Sequence, residues 1–140
     1  MDTRDTQLLA NRPKIPNAII TQGMSKEEYF QNNTLRPIAK LQNDLLVLVF
    51  KNYITKHKNV YYNLTIEKRL QYIDNALNKN IKFSNSLKGM FIGQFTTEEY
   101  QRYTADTSAF NKRIINLTKE RLKSNIMQFE ISNTARNKFR

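Results

Sequence analysis

The stretch Leu35-Arg-Pro-Ile-Ala-Lys-Leu-Gln-Asn-Asp-Leu-Leu-Val-Leu-Val-Phe50 decides the fold. Leu35, Ile38, Leu41, Leu45, Leu48 and Val49 recur at three- and four-residue steps, the period of a helix that turns one face to a core. Pro37 falls in the first turn, where its missing N–H costs little. The helix is expected to run to about His57. The hexamer Leu45 to Phe50 is apolar nearly all round, which marks a central helix. A buried strand is the rival reading of that hexamer, and the helical period on both sides selects helix. Leu48→Ala is expected to behave as a core truncation costing about 2–5 kcal/mol.

The same period appears outward from this stretch. Ser25-Lys-Glu-Glu28 has the form of a capping box that opens a short helix through Tyr29 and Phe30. Ile66, Leu70, Ile73 and Leu77 make a one-face stripe with Lys68 and Arg69 on other faces, capped near Asn63 or Thr65. Ser84 to Phe95 is a further helix, with Phe83, Leu87, Met90, Phe91 and Phe95 as core. Gly89 and Gly93 there have the spacing of one close helix contact plus a C-terminal glycine. Thr96-Thr-Glu-Glu99 is a second capping box. Thr107 or Asp106 opens the last long helix, through Phe110, Ile114, Leu117, Leu122, Ile126 and Phe129.

There are only three Gly and three Pro, and every Pro lies in the first third. Sheet-rich domains need more turn residues than this. The fold class read from these patterns is all-α: a single compact bundle of five to six helices. Leu45, Leu48, Val49, Leu70, Ile73, Phe91, Ile114 and Leu117 are its expected core. Ser25-Lys-Glu-Glu-Tyr29 and Thr96-Thr-Glu-Glu-Tyr100 each lead into a long helix. That echo fits two short-helix/long-helix units, but two common capping boxes with a short Glu-Glu-Tyr match explain it better. Residues 25–131 form the helical domain. Residues 1–24, with Pro13 and Pro16, read as an extended or partly disordered arm. Residues 132–140 read as a basic tail that frays.

The chain carries 23 Lys+Arg against 12 Asp+Glu, a net charge of +11 in 140 residues. Such an excess points to a polyanionic partner: nucleic acid, a ribonucleoprotein or an anionic membrane surface. Asparagine is also abundant, 17 residues, as an A/T-rich genome produces, and that bias inflates lysine and discounts the charge argument. From Thr107 to Arg140 there are eight Lys/Arg and two Glu, a net of +6. Lys112, Lys119 and Lys123 share one stripe of the last helix, and Arg136, Lys138 and Arg140 follow. A second cluster, Lys56 and Lys58, precedes Tyr61 and Tyr62. Basic residues beside aromatics can hold a phosphate backbone while a base stacks. These eight cations are the candidate nucleic-acid-binding residues. The tyrosines themselves read better as core.

Catalytic constellations are thin. There is no Cys and one His, His57, so the common zinc spacings are excluded and no metal site is expected. Too few glycines exist for a phosphate loop, and no Ser-His-Asp partnership is legible. His57, between two lysines, reads as an exposed helix-end residue. No cofactor is implied. No apolar run is long enough to span a membrane and no signal-peptide h-region follows the N-terminus, so the expected location is cytoplasmic.

Three segments carry a family resemblance: Leu35-Arg-Pro-Ile-Ala-Lys-Leu-Gln-Asn-Asp44, Phe83-Ser-Asn-Ser-Leu-Lys-Gly89 and Gly93-Gln-Phe-Thr-Thr-Glu-Glu-Tyr100. From about Leu8 to Phe129 the chain resembles a family of short basic bacterial proteins often labelled "glyoxalase". That label implies a metal held by paired His and Glu on a βαβββ scaffold, or a His-rich two-metal motif. This chain has neither the ligands nor the strand pattern, so the resemblance carries no metal-site residue across. Three functions follow in order: a non-enzymatic nucleic-acid or ribonucleoprotein-associated protein; a helical adaptor for an acidic protein partner; and an enzyme consistent with the label, which is disfavoured.

Overall fold

Helical backbone runs without interruption from Lys26 to Lys56 in the computed structural model, which describes residues 3–15 and 21–126. Helix α2 (Lys26–Phe30) passes through a π-helical turn (Gln31–Leu35) into α3 (Arg36–Lys56). Pro37 explains the wide turn. A proline inside a helix lacks an N–H and its ring presses on the carbonyl four residues back. A π turn widens the ladder just before it, with the Arg36 N–H reaching Gln31 O five residues back. The Ser25 hydroxyl caps α2 by accepting the Glu28 N–H at 3.1 Å.

The other helices are α1 (Thr3–Asn11), α4 (Ile66–Lys79), α5 (Ile81–Ile92), α6 (Thr97–Ala105) and α7 (Thr107–Ser124). With α2–α3 counted as one rod, six rods make an all-α bundle with no strand among the described residues. Local chemistry sets the boundaries. Thr65 caps α4 through the Lys68 N–H. Asn80 ends α4 and caps α5 through the Phe83 N–H at 3.0 Å, so α5 begins at Ile81, three residues earlier than Ser84. Thr96 and Glu99 form a complete reciprocal capping box on α6, and Asp106 caps α7. Lys58 and Asn59 sit at φ 64° and 59°, which turns the chain out of α3. A short 3₁₀ turn, Val60–Asn63, follows.

The central element is α7, not α3. It packs on α3, α4, α5, α6 and the π turn, and buries Phe110, Ile114, Ile115, Leu117, Thr118 and Leu122. Helix α3 has α5 and α7 on one side only. Its buried face is Ile38, Ala39, Leu46, Val47, Phe50 and Ile54. Leu45 and Leu48, expected in the core, are 49% and 60% exposed, and Leu41 is 39% exposed. Because all six residues from Leu45 to Phe50 are apolar, two helical faces fit the sequence, and the bundle uses the other one. Val49 and Leu70 are half-buried, while Ile73, Phe91, Ile114 and Leu117 are buried as expected. Gly89 has open space beside it, so it marks no close helix contact, whereas Gly93 does end α5.

Arg69 also departs from its expected exposed face. It is 6% exposed, donates to the carbonyls of Tyr61 (3.2 Å) and Tyr62 (2.9 Å), and lies over the Tyr61 ring at 5.1 Å. The planar guanidinium satisfies the 3₁₀ turn's carbonyls while stacking on its ring, which a lysine cannot do.

The N-terminal segment is not an extended arm over its first part, since Thr3–Asn11 is helical. Polar contacts rather than apolar residues fix it. Arg4 donates to Phe95 O (2.8 Å) and Gly93 O (3.0 Å). Asp5 accepts the Thr97 N–H (3.2 Å) and hydroxyl (2.7 Å) at the start of α6. Arg12 makes a two-pronged ion pair with Glu99 at 2.6 and 2.9 Å and donates to Gln94 O at 2.9 Å. Glu99 also accepts the Thr34 hydroxyl (3.0 Å) and the Thr96 N–H (2.9 Å). Ile15 is half-buried; residues 16–20 lie outside the described residues, as do Phe129 and the tail from Asn133.

Two outcomes follow from this packing. Ile54→Ala, at a fully buried position, should cost about 2–5 kcal/mol by chemical denaturation. Leu48→Ala should stay within about 0.5 kcal/mol. Equal losses would show that α3 is enclosed on both faces.

The second outcome concerns acid. Hydrogen bonds from Thr97 hold Asp5 below the usual carboxylate range. Burial opposes the Glu99 charge, but Arg12, Thr96 and Thr34 outweigh it and leave Glu99 low as well. Both groups therefore stabilise the fold above their unfolded values of about 4, and that contribution is lost as pH falls through the lower folded values. Amide protection in α1, taken relative to the intrinsic exchange rate at each pH, should be flat from about pH 7 to 5 and should fall below about pH 4. Glu99→Gln should abolish that dependence in large part while leaving the buried Arg12 unpaired, a loss of about 3–5 kcal/mol.

Candidate nucleic-acid interface

The end of α3 and the α4–α5 corner meet around a column of rings. Tyr53 and His57 are four residues apart, so they lie on one face of the last turn of α3. Their rings stack at 4.0 Å between centroids with a 24° tilt. On its other side Tyr53 packs on Phe83 of α5 at 4.2 Å. The His57 Nδ1–H donates to the Tyr53 carbonyl at 2.8 Å, which fixes the ring's rotation. Phe83 and Tyr53 are half-buried and His57 is exposed, so the column ends in an imidazole that faces solvent.

An open groove of about 500 Å³ runs beside this column. Tyr53, Tyr72, Asn75, Ala76, Lys79, Asn80, Ile81 and Lys82 line it. Lys56 and Lys58 flank His57 in the chain and are both exposed. Cations, amides and one exposed ring edge therefore share one end of the bundle. Burial pushes the Tyr72 phenol up to about 12, so it stays neutral at physiological pH.

The C-terminal basic stripe has a different setting. Lys112 is exposed. Lys119 donates to Asn78 Oδ1 at 2.7 Å and Lys123 pairs with Asp74 at 2.8 Å, so both tie α7 to α4. Arg113 donates to Gln31 Oε1 at 2.8 Å and links α7 to the π turn. Arg136, Lys138 and Arg140 lie outside the described residues. Lys112, Lys119 and Lys123 do share one side of α7, but two of the three already have partners on the neighbouring helix.

Tyr61, beside the Lys56/Lys58 cluster, is fully buried and Tyr62 is half-buried, so they are core and not stacking platforms. At this end of the bundle the exposed ring is His57, stacked on half-buried Tyr53, and their four-residue spacing was legible in the sequence. Lys79 and Lys82 carried no such signal, because only the turn at Asn80 brings them to the groove. Among the described residues no cluster of His, Cys, Asp and Glu could hold a metal ion, and no helix is long and apolar enough to cross a membrane. No protein-family model, curated protein or solved structure matches this chain.

The Tyr72 hydroxyl is buried with no hydrogen-bond partner among the described residues. An unsatisfied buried hydroxyl costs free energy that its removal returns. Tyr72→Phe should therefore leave the melting midpoint unchanged or raise stability by up to about 1 kcal/mol. A loss of stability would show that the hydroxyl has a partner.

Proposed function

We propose that the protein is a non-enzymatic nucleic-acid-binding or ribonucleoprotein-associated helical protein, and that it holds single-stranded RNA or DNA at the end of α3. The observation that carries this reading is the Phe83–Tyr53–His57 column, which ends in a solvent-facing imidazole beside Lys56 and Lys58. A base accessible in a single strand can stack on a fixed aromatic ring, and nearby cations hold the phosphates on either side. The groove cations Lys79 and Lys82 extend the same edge. Lys112 and the three tail cations add long-range attraction; Lys119 and Lys123 contribute less, since each is held by a neighbour. The arrangement contains no base-reading motif, so binding is driven by the backbone and weakly selective.

The test is a salt titration of binding to a mixed-sequence single-stranded RNA. Wild type should lose affinity steeply between about 50 and 200 mM salt. Changing Lys56, Lys58, Lys79 and Lys82 to Gln should weaken binding and flatten the slope by about 0.7 for each phosphate left without its cation. His57→Ala should weaken binding by about 1–3 kcal/mol and leave the slope unchanged, because stacking releases no counterions. Absence of binding at low salt overturns the reading, and an acidic protein partner then becomes the better account of the charge.

A further inference from the structure

The outer face of α3 has a pattern that the bundle does not use. Leu41, Leu45, Leu48, Asn52 and Thr55 are all exposed, and they follow one another at steps of four, three, four and three residues. That alternation is the seam of a two-helix coiled coil, and leucines scattered singly over a surface do not keep it. The seam is about 21 Å long at 1.5 Å per residue. Asp44 and Lys51 occupy the same flank, each one residue before a seam position.

We propose that this face of α3 binds a second copy of the same chain, antiparallel, in a two-fold symmetric pair. Charge decides both the occupant and the direction. With the two-fold axis facing the midpoint between Leu45 and Leu48, Leu45 meets Leu48 of the second copy, and Leu41 meets Asn52 at either end. Asp44 then faces Lys51 of the other copy, and symmetry makes the pair twice. A surface that complements itself in this way is what an isologous interface requires. The parallel alternative sets Lys51 against Lys56 of the other copy, also twice, which places like charges together. Four helical turns bury less than the about 1,200–2,000 Å² of a standard stable interface, and +11 on each chain opposes association. The pair is therefore a weak, concentration-dependent dimer that strengthens when moderate salt screens the net repulsion. RNA binding responds to salt in the opposite sense, so the two properties fail independently.

Sedimentation velocity on nuclease-treated full-length protein over a concentration series tests this. Wild type should pass from monomer to dimer. Leu45→Glu with Leu48→Glu should weaken dimerisation by at least about tenfold, since the carboxylates at positions 45 and 48 would face each other across the seam, like charge against like. Circular dichroism should be unchanged, because both positions face solvent in the monomer. Asp44→Lys should weaken the dimer. Lys51→Asp should weaken it too, although that change lowers the net charge and on repulsion alone would strengthen association. The double exchange, Asp44→Lys with Lys51→Asp, should restore it. A wild type that stays monomeric overturns the proposal and leaves the seam to residues 127–140 or to a different protein. A dimer that survives the two glutamates, or a double exchange that restores nothing, overturns it equally.

Discussion

The Glu99 carboxylate is the interaction on which the arrangement of the chain depends. It is almost wholly buried, and it receives both prongs of Arg12, the Thr34 hydroxyl and the Thr96 N–H. A buried charge is tolerable only when its lone pairs are filled this fully. The donors come from three distant parts of the chain: the end of α1, the π turn before α3, and the start of α6. One side chain thereby sets where the N-terminal helix lies, which way the π turn faces, and where α6 begins. Its own position is fixed by the capping box, so a local helix signal becomes a tertiary junction.

That junction also shows what the sequence could and could not display. The Thr96–Glu99 box is legible because both partners lie within four residues. Arg12 and Thr34 are not, because the pairing depends on where separate helices come to rest. The segment up to Asn11 lacks an apolar stripe and is held by Arg4, Asp5 and Arg12 instead, so a reading based on hydrophobic period treats it as an arm. Helix existence was legible nearly everywhere. Helix facing was not legible in α3, where six consecutive apolar residues offer two equally good faces. Short polar repeats define a face better than long apolar runs, as the single stripe Ile66, Leu70, Ile73 and Leu77 illustrates, though even there Ile66 ends up in solvent.

Charge divides in a similar way. Net charge is a sum over the sequence, but its availability is a property of the fold. Arg69 is taken up by two backbone carbonyls, Arg12 by a buried carboxylate, and Lys119 and Lys123 by α4. The cations at the close of α3 and around Asn80 sit at chain reversals, where no neighbouring helix crosses them. Stacked rings at the same end give that charge a defined place to act, which a uniform basic surface does not.

The π turn has a consequence for how this rod can change. A π turn contains one residue more than the α-helical turn it replaces, and each α-helical residue advances the direction of a side chain by about 100°. Deleting one residue between Gln31 and Leu35 would close the wide turn to an α-helical turn of nearly the same rotation, so the segment before it would keep its facing. Phe30, which packs on Phe95 at 5.6 Å and Phe110 at 4.6 Å, would stay directed at the core. The same deletion within the α-helical part of the rod would rotate what precedes it by about 100° and carry Phe30 away. The extra residue is therefore absorbed where it stands, and the π turn is the one place in the rod where a single residue can be lost without changing which face is buried.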